Sequence, residues 1–298
     1  MENDPKKIDF TCFICNNAKF CFFAKKQSYN LYRCQQCGLI FVYPLPENLA
    51  EIYAKDYFSG ATHGFGYVDY EKDKKAMSAT FEMYLDEIEK LMPARNRLLD
   101  VGAATGAFLE ASARRGWRAS GIEISDYAAT KARQKNLNVQ TGTLKSAHFK
   151  KELFDIITMW DVLEHLPNPE STLKLANNLL KRDGFIALNT PNSGSLFAKL
   201  MGRHWHLIVP PEHLFYFNID NLTKLLRKTG FEVCLVTCLG KKFTLQYILK
   251  ILANWHKFFL WQWLADKVQN KTFGQIALSI NLRDNLFLIA KKYNNHII

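Results

Sequence analysis

Apolar residues along the chain follow two periods, and the switches between them lay out a run of helices and strands. From Val68 to Met92 they fall at helical spacing (Met77, Phe81, Tyr84, Leu85, Ile88, Leu91), and Pro93 ends the run. Short apolar runs then predict strands at Arg97–Val101, Arg118–Ile124, Asn138–Gln140, Phe154–Trp160, Gly184–Asn189, Glu232–Leu239 and Asn285–Lys291. Helical spacing between them predicts helices at Ala107–Arg115, Asp126–Lys135, Ser171–Leu180 and Ile219–Thr229. Strands that alternate with helices imply an α/β fold: a mostly parallel sheet of seven strands with helices on both faces. Two stretches break the alternation, 193–211 and 241–283, and long insertions in a compact domain are often lids or binding surfaces. Ahead of all this lies a cysteine-rich head, residues 1–45, closed by Pro44-Leu-Pro46. Residues 46–95 then form a linker and the first helix, and 96–298 the α/β domain.

Composition adds constraints. At 48% hydrophobic and 22% charged residues, the 298-residue chain is globular rather than disordered. Lys and Arg outnumber Asp and Glu by 39 to 28, a net charge of +11 that favours acidic partners: a nucleotide sugar, a phospholipid surface or a nucleic acid. Charge alone does not rank them. Met1–Lys7 lacks the layout of a signal peptide, and no window holds the roughly 18 uninterrupted apolar residues of a spanning helix. The expected location is therefore the cytoplasm. There, seven cysteines are read for metal before disulfides.

Two pairs stand out. Cys12-x2-Cys15 and Cys34-x2-Cys37 are separated by 18 residues, the layout of two knuckles that together offer four thiolates to zinc. Four protein ligands close the site, so the expected zinc is structural. Cys21 reads as a free thiol, and Cys234 with Cys238 as core.

The richest chemistry lies in Leu98-Leu-Asp-Val-Gly-Ala-Ala-Thr-Gly106, a strand, a tight turn and a helix start. Gly102 and Gly106 permit positive φ and let a ligand lie against the backbone. Asp100 falls at the carboxyl end of the first strand, where open α/β sheets bind ligands. No Gly-Lys-Ser/Thr follows, and the Gly-x-Gly-x-x-Gly spacing is absent, so neither a P-loop nor a dinucleotide fingerprint fits. Glu123 ends the next strand, 17 positions after Gly106, where a carboxylate can accept from both hydroxyls of a ribose.

On these residues the chain resembles the class I S-adenosylmethionine-dependent methyltransferases, a Rossmann-like family. Phe154-Asp-Ile-Ile-Thr-Met-Trp-Asp-Val-Leu-Glu-His-Leu-Pro167 is similar to that family's fourth strand, and Leu180–Asn192 to its fifth. The resemblance implies that Gly102, Ala103, Ala104 and Gly106 hold the methionine end of S-adenosylmethionine, with Asp100 among the cofactor contacts. It implies Glu123 at the ribose, with Ile124 beside it among the cofactor contacts, and Trp160 and Asp161 on the sulfonium side. Ala104 stands where the family's loop usually has Gly. Thr143 stands where an Asp often reads the adenine amine, which leaves Thr143 and Leu144 as the adenine contacts. Some members carry a similar zinc head, among them sugar C-methyltransferases with a comparable Glu-His pair.

An activated methyl group needs mainly an aligned acceptor, and a base only where the acceptor is a hydroxyl or a carbon acid. Glu212 and His213, in Pro210-Pro-Glu-His-Leu-Phe-Tyr-Phe217, are the leading candidates for that base, and His165 is the next. The bland alternative is that His213 caps or packs and that His165 bonds backbone at a turn. The expected activity is methylation of a small molecule, with a sugar or surface-glycan precursor first, nucleotide- or lipid-linked. O-methylation of a quinone or polyketide phenol is the alternative. Nucleic-acid modification fits poorly: Asp161-Val-Leu-Glu164 stands where DNA amino-methylating enzymes resemble Asn/Asp-Pro-Pro-aromatic. A non-catalytic partner-binding role is the remaining class. Residues 243–264, oily with Lys250, His256 and Lys257 interspersed, read either as a flap on the core or a second subunit, or as a peripheral contact at the inner membrane face.

Overall fold

The computed structural model describes residues 8–46, 74–147, 149–239, 241–244 and 277–293, together with 249, 263, 264 and 267. Of the expected linker and first helix at 46–95, residues 47–73 lie outside the described residues, and so does most of the 243–264 stretch.

The head is a small antiparallel sheet of β1 (Phe20–Lys26), β2 (Tyr29–Cys34) and β3 (Ile40–Val42). The sequence reading placed no strand here, because metal-ligand spacing hid the apolar alternation of β2 and β3. Helix α1 (Lys74–Leu91) follows, and then the alternation expected of an α/β fold. Its members are β4 (Arg97–Val101), α2 (Ala107–Arg114), β5 (Arg118–Glu123), α3 (Asp126–Gln134), β6 (Val139–Thr141), β7 (Phe154–Trp160), α4 (Pro169–Leu179) and β8 (Leu180–Pro191). After β8 come a short helix α5 (Leu196–Met201), β9 (Phe215–Tyr216), α6 (Ile219–Lys228) and β10 (Phe231–Thr237). An antiparallel pair of strands, β11 (Lys241–Thr244) and β12 (Ala277–Ile280), precedes the last strand, β13 (Asn285–Lys292).

Seven strands form the main sheet in the order β10-β13-β8-β7-β4-β5-β6. The five from β8 to β6 pair in parallel, and β13 runs antiparallel between β8 and β10. Parallel strands are buried on both faces, and alternate residues of β7 show it. Ile157 and Met159 pack with Leu173 and Ala176 of α4 and with Leu222, Leu225 and Leu226 of α6. Ile156 and Trp160 pack on the other face with Phe81, Tyr84, Leu85 and Ile88 of α1 and with Phe108 of α2.

The head does not hang free. Its strand β3 pairs with β9, so the four-stranded sheet β1-β2-β3-β9 takes its last strand from the α/β domain. Asn221 of α6 donates to the Cys37 carbonyl at 3.3 Å, Lys228 donates to the Phe13 carbonyl at 2.6 Å, and Phe13 meets Phe215 edge-on. Cys12, Cys34, Leu39 and Phe41 thereby join the core beneath α4 and α6.

One reading needs correction. Cys234 is exposed rather than core. It lies on an edge strand, at a bulge between Val233 and Leu235 that breaks the inward-outward alternation.

Candidate functional site

The loop between β4 and α2 has the backbone its sequence demands. Gly102 (φ 75°) and Gly106 (φ 86°) are left-handed, and so is Ala104 at φ 47°. A side chain on Gly102 would approach Val162 Cγ2 at 2.6 Å, so glycine there serves both conformation and space. Ala104 has no such freedom. An L-residue in this region costs about 1 kcal/mol, and the structure compensates by binding its N–H to Glu123 Oε2 at 2.8 Å.

Two carboxylates lie beneath the loop. Asp100 is buried and accepts from Thr158 Oγ1 at 2.7 Å; burial, offset in part by that bond and reinforced by the nearby Glu123, raises its pKa to about 8. Glu123 is also buried and accepts from the Ala104 and Ser125 amides; burial raises its pKa against those bonds. A carboxylate oxygen has two lone pairs, so Glu123 keeps acceptor capacity for hydroxyl groups. Thr105 Oγ1 and Trp160 Nε1 are buried and find no partner among the described residues. Two buried carboxyl groups with acceptor capacity to spare, together with unsatisfied polar atoms, suit a ligand that brings its own hydroxyl and ammonium donors. S-adenosylmethionine is such a molecule, so the residues present fit it.

The mouth of the site continues outward. Ile124, next to Glu123, is 47% exposed, an apolar face open to a planar ring. Thr143 is exposed in a tight turn closed by Ser146, and Leu144 beside it is buried. Trp160 packs among Tyr84, Phe108 and Phe287, with ring centroids 4.5, 5.1 and 5.9 Å away. Asp161, left-handed at φ 51°, is clamped by Asn189, which receives its N–H at 2.7 Å and donates to its carboxylate at 2.8 Å.

Beyond Asp161, a 3-10 turn (Leu163–His165) faces the segment that leads into β9. Leu214 donates to the Glu164 carbonyl at 2.8 Å and Val42 to the Leu214 carbonyl at 2.9 Å, so that segment lies between the turn and the head. His165 and His213 meet edge-on, ring centroids 4.8 Å apart. Burial draws His165 down to about 4, against the upward pull of Asp161 and the Glu212 carbonyl. Burial raises the neighbouring Glu212 carboxyl to about 7. The structure thus brings the three candidate base residues together at the carboxyl end of β7.

Sequence reasoning missed several members of this site. Thr158 shares a strand face with Trp160, and a two-residue offset could have found it. Asn189 follows from register, since it lies opposite Trp160. Glu164 precedes the candidate base His165, and only the fold brings it to His213. Tyr84 arrives on α1 from outside the motifs, and no local signal marks it.

In the head, the residue after each knuckle, Asn16 (φ 58°) or Gly38 (φ 73°), is left-handed and turns its thiols inward. Cys12 and Cys37 lie 3.6 Å apart at sulfur, Cys15 and Cys34 3.5 Å. A tetrahedron of about 2.3 Å zinc–sulfur bonds needs about 3.8 Å, so the four could hold a zinc ion. Asn17 Nδ2 supports Cys34 Sγ at 3.6 Å. The thiol of Cys12 is drawn down to about 5, chiefly by its bond with Cys37. A separate cavity of about 360 Å³ lies at the opposite, amino-terminal ends of the parallel strands, lined by Arg97, Arg118, Asn138 and Phe149. Ligands of open α/β sheets bind at the carboxyl ends, so that cavity lies apart from the candidate site.

Comparisons with known proteins agree with this geometry. Among curated relatives, the ubiquinone biosynthesis O-methyltransferase of Azoarcus sp. (strain BH72) is 30% identical over 47% of this chain and 66% of its own length. That of Glaesserella parasuis serovar 5 is 36% identical over 32% of this chain and 45% of its own. The chain thus spans two thirds or less of these relatives. Among solved structures, a SAM-dependent methyltransferase from Thermotoga maritima, described as a possible histamine N-methyltransferase, superposes with a TM-score of 0.51 at 21% identity, over 75% of this chain and 94% of that one. One from Archaeoglobus fulgidus gives 0.50 at 19% identity, over 74% and 94%. At such identities these two speak for the fold alone. A family model described as a methyltransferase domain matches residues 75–236, from α1 into β10. That span holds the loop, both buried carboxylates and the paired histidines, and it shows that this chain belongs to the methyltransferase-domain family.

Proposed function

We propose that this chain transfers a methyl group from S-adenosylmethionine to a hydroxyl oxygen of a small phenolic acceptor of the quinol type. The observation that carries the cofactor is the pair of buried, hard-to-ionise carboxylates, Asp100 and Glu123, beneath a left-handed glycine loop. The bound cofactor would supply a sulfonium methyl already activated for displacement. Everything else falls to the chain. Glu123 would receive ribose hydroxyls, Ile124 and Leu144 would flank the adenine with Thr143 at its edge, and the 102–106 backbone with Asp100 would take the amino-acid end. Asp161, fixed by Asn189, would border the reacting centre with Trp160.

The names of the relatives move the acceptor from the sugar or glycan precursor expected first to the phenol held as its alternative. Glu212, half-buried with a carboxyl near 7, can take a proton at neutral pH. His165 and His213 would wall the acceptor site. The four-cysteine head would hold structural zinc, and its pairing with β9 would brace that wall. Among the described residues no helix is long and apolar enough to cross a membrane.

The test is methyl transfer from isotopically labelled S-adenosylmethionine to a panel of catechols, simple phenols and nucleotide sugars, followed by product identification. Label on a phenolic oxygen supports the reading. Label on a sugar carbon, or on none of the panel while the cofactor binds, overturns the acceptor assignment.

A further inference from the structure

The paired histidines carry more than a wall. His165 Nδ1 lies 2.8 Å from the Glu212 carbonyl and His213 Nδ1 2.9 Å from the Leu207 carbonyl. A carbonyl only accepts, so each Nδ1 holds the proton and each Nε2 is left with a lone pair. Metal-binding histidines are fixed in this way, with the far ring nitrogen tied to a backbone carbonyl so that the near one faces the ion. Glu164 completes the set. It is fully buried, its Oε2 accepts from Thr190 Oγ1 at 2.9 Å, and its backbone carbonyl receives the Leu214 amide. Glu164, His165 and His213 each offer a ligand atom, and all three atoms lie within 4.8 Å of one another.

We propose that Glu164, His165 and His213 form a divalent-metal site, and that the ion's open positions hold an acceptor with two adjacent oxygens, as in a catechol. Two imidazoles and one carboxylate suit manganese, iron, cobalt or zinc and leave positions for exogenous oxygens. The site differs in kind from the head, whose four thiolates select a softer ion and close around it. It is built from two segments, the turn after β7 and the strand-like run before β9, locked together by the Leu214–Glu164 bond. The metal claim stands on geometry alone; the acceptor claim rests on the proposed methyl transfer and narrows its substrate to vicinal oxygens.

The test begins with zinc-loaded full-length protein, washed of loosely held metal and titrated with Mn²⁺ under electron paramagnetic resonance. The expected result is saturable depletion of free Mn²⁺ by a single site per chain. His213→Ala and Glu164→Gln should abolish it, and Thr190→Val should weaken it about tenfold. Each variant should keep its head zinc and its S-adenosylmethionine binding, which separates loss of the site from loss of the fold. Co²⁺ in the same site should show no thiolate absorption, and its spectrum should shift with catechol but not with 4-methoxyphenol. No depletion by the wild-type protein, or equal depletion by the folded variants, overturns the metal site. A Co²⁺ spectrum indifferent to catechol overturns the acceptor claim. Cofactor binding without metal binding defeats this inference and leaves the proposed function standing; metal binding without cofactor binding leaves the metal site standing and defeats the proposed function, and the acceptor claim with it.

Discussion

Asp100 shows how burial of one residue writes a pH dependence into the molecule. Its carboxyl stays protonated up to about pH 8 in the folded protein, whereas the unfolded chain loses that proton near its ordinary value of about 3.9. Between the two the folded state binds more protons, so stability contributed by this group falls as pH rises, by at most about 1.4 kcal/mol per unit. Urea unfolding of the ligand-free protein from about pH 5 to 8 should show that decline, to which Glu123 and Glu212, also raised by burial, add in the same direction, and Asp100→Asn should reduce its slope. An unchanged slope in the variant would mean that the carboxylate is already ionised in the fold. Ala104 offers a second test. Its φ of 47° favours glycine, so Ala104→Gly should raise stability by about 0.5–1 kcal/mol in the same titration, and a loss would contradict the strain. The sequence marked this position as a departure from the family's glycine, but only the backbone angle shows that the departure costs anything.

At the scale of elements, α6 shows a helix end doing two tasks. Asn218 and Asn221 cap each other reciprocally, each side chain accepting the other's amide at 2.9 Å. Asn221 also reaches the Cys37 carbonyl and is fully buried. Asn221→Ala should therefore cost about 2 kcal/mol, more than a simple cap, and should loosen the head as well. Thermal unfolding with zinc retention as a second readout checks it; a change under about 0.5 kcal/mol would deny the link. The main strands and helices were legible because buried parallel strands and amphipathic helices impose strong periods. Phe154–Trp160 is a strand as expected, and Arg97–Val101 likewise. Boundaries drifted where a cap decides them: α4 starts at Pro169 because Asn168 accepts the Ser171 amide, not at Ser171. The two residues of β9 carry no period at all, and their pairing with β3 depends on contacts more than 170 positions apart.

At the scale of the whole molecule, the head, the 210–217 segment and the turn after β7 act as one stack. Strand β3 pairs with β9, Leu214 bridges to Glu164, and His165 bonds the Glu212 carbonyl. Removing zinc with a chelator should raise hydrogen exchange in 8–46 and also in 210–217, while β4 and β7 stay protected. Exchange confined to the head would contradict the stack. The cofactor end of the site was legible because its loop and Glu123 are each local motifs in register with a strand. The acceptor end was only half legible, since it is assembled from β7, β8 and the run before β9.

The central claim is that the loop and the buried acids bind S-adenosylmethionine, and calorimetric titration tests it most directly. The wild-type protein should bind S-adenosylmethionine at a single site, and Glu123→Ala should weaken that binding at least about tenfold, or about 1.4 kcal/mol, while keeping the fold. No heat of binding from folded wild-type protein, or an affinity unchanged by Glu123→Ala, would contradict it.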